Sequence, residues 1–270
     1  MKNLLLLMAL FCLQAIPASA QTKDVTQYLV YSYHKVAPGM NGKFLKLAQV
    51  WKKILINQAL PGPPPSQVWS LSKMVTSIGP KNEYDYVTLR VLTGKDSLAK
   101  YLNLKQPYLP DNWQSNLAPD EIDLVLKADS IRTFVKLEAW PIDTVISPSK
   151  TTHPDTSPII LAVYNYFKEP KGKTLQDAVK MEREIWLPIH QARIDDDNMR
   201  LWFLLTLDFP VGASQPYNML TIDDYTDLDQ YLKSGDKNYF KGKCKRKLLK
   251  KTNEAATLVK RDIRIILDRL

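Results

Sequence analysis

An α+β chain of two tandem copies of one unit, ordered strand, helix, strand, strand, helix, strand, is the fold class predicted here, and three observations predict it. Aromatic landmarks recur. Tyr31-Ser32-Tyr33 opens one copy and Tyr164-Asn165-Tyr166 the other, each followed by a helix-like segment carrying Trp51 or Trp186 and a strand-like one carrying Trp69 or Trp202. The register beyond them is the same, since Trp69 to Tyr84 and Trp202 to Tyr217 are both 15 residues, and both copies then reach a Tyr-Leu pair, Tyr101-Leu102 and Tyr231-Leu232. Between the copies, residues 147–158 are rich in proline and small polar residues, which suits a solvated linker. The boundaries follow: first repeat 24–146, linker 147–158, second repeat 159–270.

Each element has its own signal. Leu29 to Val36 and Ile159 to Phe167 are β-rich, with tyrosines two apart on one face. Phe44, Leu47, Trp51 and Leu55 recur at helical spacing, as do Leu175, Val179, Trp186 and Ile189. Pro61-Gly62-Pro63-Pro64-Pro65 lengthens the first copy's helix-to-strand turn, because proline removes the amide donors a helix needs. Val68 to Val75 and Leu201 to Phe209 read as second strands, and the segments from Tyr84 and Tyr217 to Thr88 and Thr221 as third strands. Second helices fall near Pro119 to Lys127 and Lys243 to Thr257, and fourth strands at Thr133 to Trp140 and Asp262 to Leu270.

At the N-terminus, Lys2 precedes the apolar run Leu4 to Leu13 and the small triplet Ala18-Ser19-Ala20, the pattern of a secretory signal peptide over residues 1–20. The run is too short to span a bilayer, and no later stretch reads as transmembrane. A periplasmic or extracellular address is therefore expected. Cleavage leaves Cys244 as the one thiol, so no internal disulfide forms and the fold rests on core burial. His34, His153 and His190 lie far apart without metal-ligand spacing, so no built-in metal site is expected.

The element order is that of the βαββαβ ferredoxin-like unit, whose sheet carries helices on one face only. Two such units in one chain can cover each other's bare faces, giving tandem ferredoxin-like repeats that form an intramolecular dimeric α+β barrel. The second copy, from Tyr164-Asn165-Tyr166-Phe167-Lys168 through Trp186-Leu187-Pro188-Ile189-His190 to Pro216-Tyr217, resembles exported bacterial proteins of the dimeric α+β barrel superfamily. That superfamily includes antibiotic-biosynthesis monooxygenase-like, EthD-like, NIPSNAP and chlorite-dismutase or dye-peroxidase proteins. The resemblance covers nearly all of the chain after the leader in pattern and matches no catalytic motif, so it implies a fold more than a reaction.

The helix from Thr174 to Ile194 is the most informative stretch. Ala178, Val179, Met181, Ile185, Trp186, Ile189 and Ala192 share one apolar arc, with Glu182 and Arg193 in its middle and His190 at its edge. Aligning Trp51 with Trp186 sets Leu47, Leu55 and Gln58 of the first copy against Glu182, His190 and Arg193 of the second. Buried charge is costly unless paired, so polar groups in one copy alone mark it as the candidate site. The plain alternative is that each group snorkels to solvent or meets a partner on a strand, since Glu182 and Arg193 are three turns apart. Pro188 should kink the helix beside His190.

With Asn165 and Trp202 nearby, these residues outline a small-molecule pocket of Glu182, Trp186, His190, Arg193, Asn165 and Trp202. Asn, Trp and His together resemble the trio of haem-degrading monooxygenases in the superfamily. The resemblance implies haem as a cofactor and His190 as its ligand or as a general base.

Lys241, Lys243, Lys245, Arg246, Lys247, Lys250 and Lys251 form a basic segment that can hold anions, or can be a solvated helix face. An RNA-binding signature of paired aromatics in a Gly-rich strand is absent, so nucleic acid is not an expected partner, and weak contact with anionic envelope surfaces is. Three functions remain open at this point: a ligand-binding protein, an oxidative enzyme of the monooxygenase or haem-dependent kind, and a non-catalytic interaction protein using residues 241–251.

Overall fold

The computed structural model describes residues 26–57, 69–79, 83–103, 109, 112–148, 158–210, 216–234, 239 and 245–269. The leader, residues 61–65, most of the linker, Lys241, Lys243 and Cys244 lie outside the described residues, and so does the side chain of Lys245.

In chain order the elements are β1 (Gln27–Val36), α1 (Asn41–Asn57), β2 (Trp69–Ile78), β3 (Tyr86–Thr93), α2 (Lys95–Leu102), α3 (Pro119–Leu126), α4 (Ala128–Ile131) and β4 (Arg132–Ile146). The second half repeats the order as β5 (Leu161–Lys168), α5 (Leu175–Met181), a π-helical turn (Glu182–Trp186), α6 (Leu187–Asp195), β6 (Leu201–Thr206), β7 (Met219–Tyr225), α7 (Leu228–Lys233), α8 (Lys245–Ala255) and β8 (Thr257–Arg269). The expected strands and main helices are present. The Tyr-Leu pairs add a short helix to each copy, α2 and α7, because Asp227 caps the Gln230 amide at 2.7 Å and Gly94 takes a positive φ of 82° before Lys95.

The eight strands are hydrogen-bonded in the order β1-β3-β2-β8-β5-β7-β6-β4 and close as an antiparallel barrel. The chain forms two compact units. One holds β1, α1, β2 to Lys73, β3, α2 to α4, β4 to Ala139 and the end of β8; the other holds β2 from Met74, β4 from Trp140 and everything up to Ile266.

Within each unit the register repeats residue for residue. Ser32 lies opposite Thr88 and Trp69 opposite Arg90 in the first, as Asn165 lies opposite Thr221 and Trp202 opposite Asp223 in the second. A side-chain device on the other face of each sheet repeats too. In the first unit Lys136 pairs with buried Glu138 at 2.7 Å, Tyr33 donates to Glu138 at 2.6 Å, and the Lys136 ammonium lies 4.6 Å from the Tyr33 ring. In the second, Lys260 pairs with fully buried Asp262 at 3.0 Å and lies 5.3 Å from the Tyr166 ring, while Arg264 bonds both Asp262 and Tyr166.

In the first unit the helix-facing layer is apolar and aromatic. Phe44, Leu47, Trp51 and Leu55 are all buried. His34 sits among Phe44, Trp51 and Phe134, with Nε2 3.3 Å from the Thr88 hydroxyl. Burial, and then the Arg132 charge, hold its pKa well below the usual histidine value.

Candidate functional site

The corresponding layer of the second unit is built differently. Thr174 caps α5 reciprocally: its hydroxyl accepts from the Asp177 amide at 3.2 Å and its amide donates to the Asp177 carboxylate at 2.9 Å. The expected kink at Pro188 takes the form of a π turn. Leu187 reaches back to the Glu182 carbonyl just before the proline, whose missing N–H leaves the next turn without its usual bond. This widened turn runs from Glu182 to Trp186, two of the candidate residues.

Glu182 is 3% exposed and His190 is 7% exposed, so neither snorkels to solvent. The His190 ring lies between two indoles, 5.0 Å from Trp202 at 18° and 5.9 Å from Trp186 at 29°. Such near-parallel pairs contribute roughly 0.5–1.5 kcal/mol each beyond the area they bury. Trp186 is only half-buried and donates to Thr252 of α8 at 2.9 Å. Arg193 Nη1 is 3.1 Å from His190 Nδ1, and its Nη2 donates to the Tyr225 hydroxyl at 2.9 Å.

The strands supply what the helix lacks. Alternation along β7 puts Thr221, Asp223 and Tyr225 on one face, and Asp223 lies directly opposite Trp202. Asn165 donates to Thr221 at 3.2 Å and accepts from Arg261 at 2.6 Å. Asp223 accepts from Asn165 and lies in the field of Arg193 and Arg261.

Burial pushes the Glu182 carboxyl up to about 8, helped by the neighbouring Asp223. Burial also raises Asp223, against the pull of Arg193, Arg261 and the Asn165 hydrogen bond. For His190, burial and then the Arg193 charge lower the pKa well below the usual value, so the ring is neutral at pH 7. Three sealed polar atoms in this layer have no hydrogen-bond partner among the described residues: Trp202 Nε1, Arg193 Nε and Asp223 Oδ1. Each such orphan costs about 1–3 kcal/mol, a cost that a water or ligand would relieve.

All six candidate residues therefore lie in or at the edge of one layer. Asp223, Tyr225, Thr221 and Arg261 were not singled out from sequence. Period-two alternation along Met219 to Tyr225, and the exchange of Arg90 for Asp223 at matched register, are the signals that find the first two. On α8, Arg246 and Lys247 are exposed, and Lys250 sits 3.9 Å from Glu254. Among the described residues no group of three metal-ligating side chains occurs, and no helix is long and apolar enough to cross a membrane.

No protein-family model and no curated protein sequence matches the chain. Solved structures do. A candidate monooxygenase from Fusobacterium nucleatum aligns over 92% of this chain and 95% of its own, with a TM-score of 0.54 and 12% identity. An anthrone oxidase-like protein aligns over 92% and 94%, with a TM-score of 0.53 and 10% identity. The fold is a dimeric α+β barrel of two ferredoxin-like repeats.

The resemblance implied haem, with His190 as its ligand. Its contacts do not fit. An iron-bound imidazole donates its second N–H to an acceptor, which raises its basicity. His190 Nδ1 instead faces the Arg193 guanidinium, a group with donors only.

Proposed function

We propose that the second repeat binds and oxidises a small planar organic molecule, with dioxygen as oxidant and the protein's own carboxyl as base. The observation that carries this reading is Glu182, a buried carboxyl held at about 8, where a base can take and return a proton near neutral pH. The names of the two structural neighbours, a candidate monooxygenase and an anthrone oxidase-like protein, supply the reaction class.

The chemistry balances without a cofactor. Glu182 as carboxylate accepts a proton from an activated CH2 flanked by aromatic rings. The carbanion passes its electrons to dioxygen, the resulting hydroperoxide loses water, and the CH2 becomes C=O. Once Trp186 yields, the His190 face it stacks on offers a flat surface for the ring system, and the orphaned Trp202 Nε1–H and Arg193 Nε–H are donors for an oxygen that gains negative charge. Entry requires the half-buried Trp186 to yield, since Glu182 and Trp202 are sealed. Export through residues 1–20 to the periplasm or beyond belongs to the same reading.

Anthrone is the probe. Quenching of tryptophan emission reports binding, and an oxygen electrode reports turnover. The expected result is quenching in the native protein and in Glu182→Gln, with oxygen uptake in the native protein alone, rising with pH to a plateau above about 8 as the base ionises. Absence of both quenching and uptake refutes the reading; uptake unchanged in Glu182→Gln removes the base.

A further inference from the structure

The geometry points to Arg193 as a positioning residue that fixes His190 as the Nε2-protonated neutral imidazole, a hydrogen-bond donor in this layer and not an iron ligand. The inference stands on contacts around the ring alone and holds whether or not the layer turns over a substrate.

A guanidinium is protonated at every accessible pH and has five N–H groups and no lone pair to offer. At 3.1 Å from Arg193 Nη1, the Nδ1 atom can only be the acceptor. A neutral imidazole carries one proton, so with Nδ1 as acceptor that proton sits on Nε2. Protonating Nδ1 would turn donor against donor and place a second cation beside Arg193 in a layer with His190 only 7% exposed.

The arginine cannot swing away freely. Its other arm donates to Tyr225 of β7 at 2.9 Å, so the helix and the sheet both set its place. The ring plane is fixed in turn by Trp202 on one side and Trp186 on the other. A carboxylate or carbonyl in Arg193's place would select the opposite tautomer, leaving Nε2 with a lone pair for a metal. Arginine inverts that arrangement. The aligned position of the first repeat, Leu55, carries no imidazole, so the pair belongs to the second repeat.

Nitrogen-15 NMR of the uniformly labelled native protein at pH 7 reads the tautomer, with the His190 signals assigned through His190→Gln. The expected pattern is Nε2–H alone, with no protonation of the ring on lowering the pH to 6. In Arg193→Met the ring should titrate at higher pH and populate both tautomers. Tyr225→Phe, which removes only the hydroxyl anchoring Nη2, serves where Arg193→Met does not fold, and should show partial loss of the single tautomer. Haemin added to the native protein should give no Soret change that depends on His190. An Nδ1–H tautomer in the native protein, a haemin spectrum lost in His190→Ala, or an unchanged tautomer in both Arg193→Met and Tyr225→Phe overturns the assignment.

Discussion

Glu182→Gln is expected to leave stability nearly unchanged at pH 4 and to raise it by about 5 kcal/mol at pH 9. The native carboxyl is held at about 8 against an ordinary 4.5, chiefly by burial and then by Asp223. Between those values the unfolded chain has released the proton that the folded chain keeps. The unfolded state then binds fewer protons, so folding stability falls as pH rises through this window. Above about 8 both states are ionised and the loss is complete. At about 1.4 kcal/mol per pH unit it reaches roughly 3 kcal/mol at pH 7 and roughly 5 at pH 9. Glutamine keeps the shape and cannot ionise. Urea unfolding followed by tryptophan emission at pH 4, 7 and 9 measures the difference, with an unchanged dependence on urea concentration as the control for a two-state comparison. Equal effects at the three pH values, or a glutamine variant less stable at pH 9, would refute the claim that this carboxyl is buried beside a second one.

Three other outcomes follow from the packing of the same protein. His190 is neutral when folded, so the stability it contributes is complete above about pH 6.5 and falls as pH drops toward its lowered folded pKa; His190→Phe should therefore lose less stability than the native protein between pH 7 and pH 5, read from denaturant midpoints. Gly79→Ala should cost several kcal/mol and lower the melting temperature, because φ there is +115° and a Cβ would stand 2.7 Å from the Val259 carbonyl oxygen. Asp262→Asn should destabilise by about 3–5 kcal/mol, since it leaves Lys260 and Arg264 buried without their shared carboxylate; a change under 1 kcal/mol in chemical denaturation would mean that the pairs are dispensable.

The fold was legible because its two halves carry the same landmarks at the same spacing. Trp69 and Trp202 end in identical ladder positions, and the two threonines at 88 and 221 face Ser32 and Asn165 alike. The helical half of the site was legible for a related reason: charged residues inside an apolar arc are visible at 100° per residue, and Glu182 and His190 are buried as that arc implied. The strand half was harder to see. Asp223 and Asp224 are adjacent acids in β7, and only the ladder tells that the first faces Trp202 while the second lies on the opposite face. Arg261 likewise joins the site through its bond to Asn165 and its charge near Asp223, the first a pairing 96 residues apart that no local pattern encodes. The Lys136–Glu138 and Lys260–Asp262 devices could have been found as a repeated basic-x-acidic spacing, but exposed strands show the same spacing, so it carries little information without burial.

The first repeat acts as an internal control for the second. Its ladder has the same register, yet with Trp51 aligned on Trp186, Leu47 and Leu55 fill the positions of Glu182 and His190 and are buried without strain on any charge. A charge on the strand alone is no novelty, since Arg90 is buried at the position of Asp223 and lies over the Tyr101 ring at 5.2 Å. What sets the second repeat apart is a buried helix carboxyl beside a half-buried strand carboxyl, whose charge raises the cost of ionising the first. Folding does not require that pair, because the twin folds with leucine. A group that the fold does without, and that costs several kcal/mol once ionised, is what the proposal of Glu182 as a base rests on.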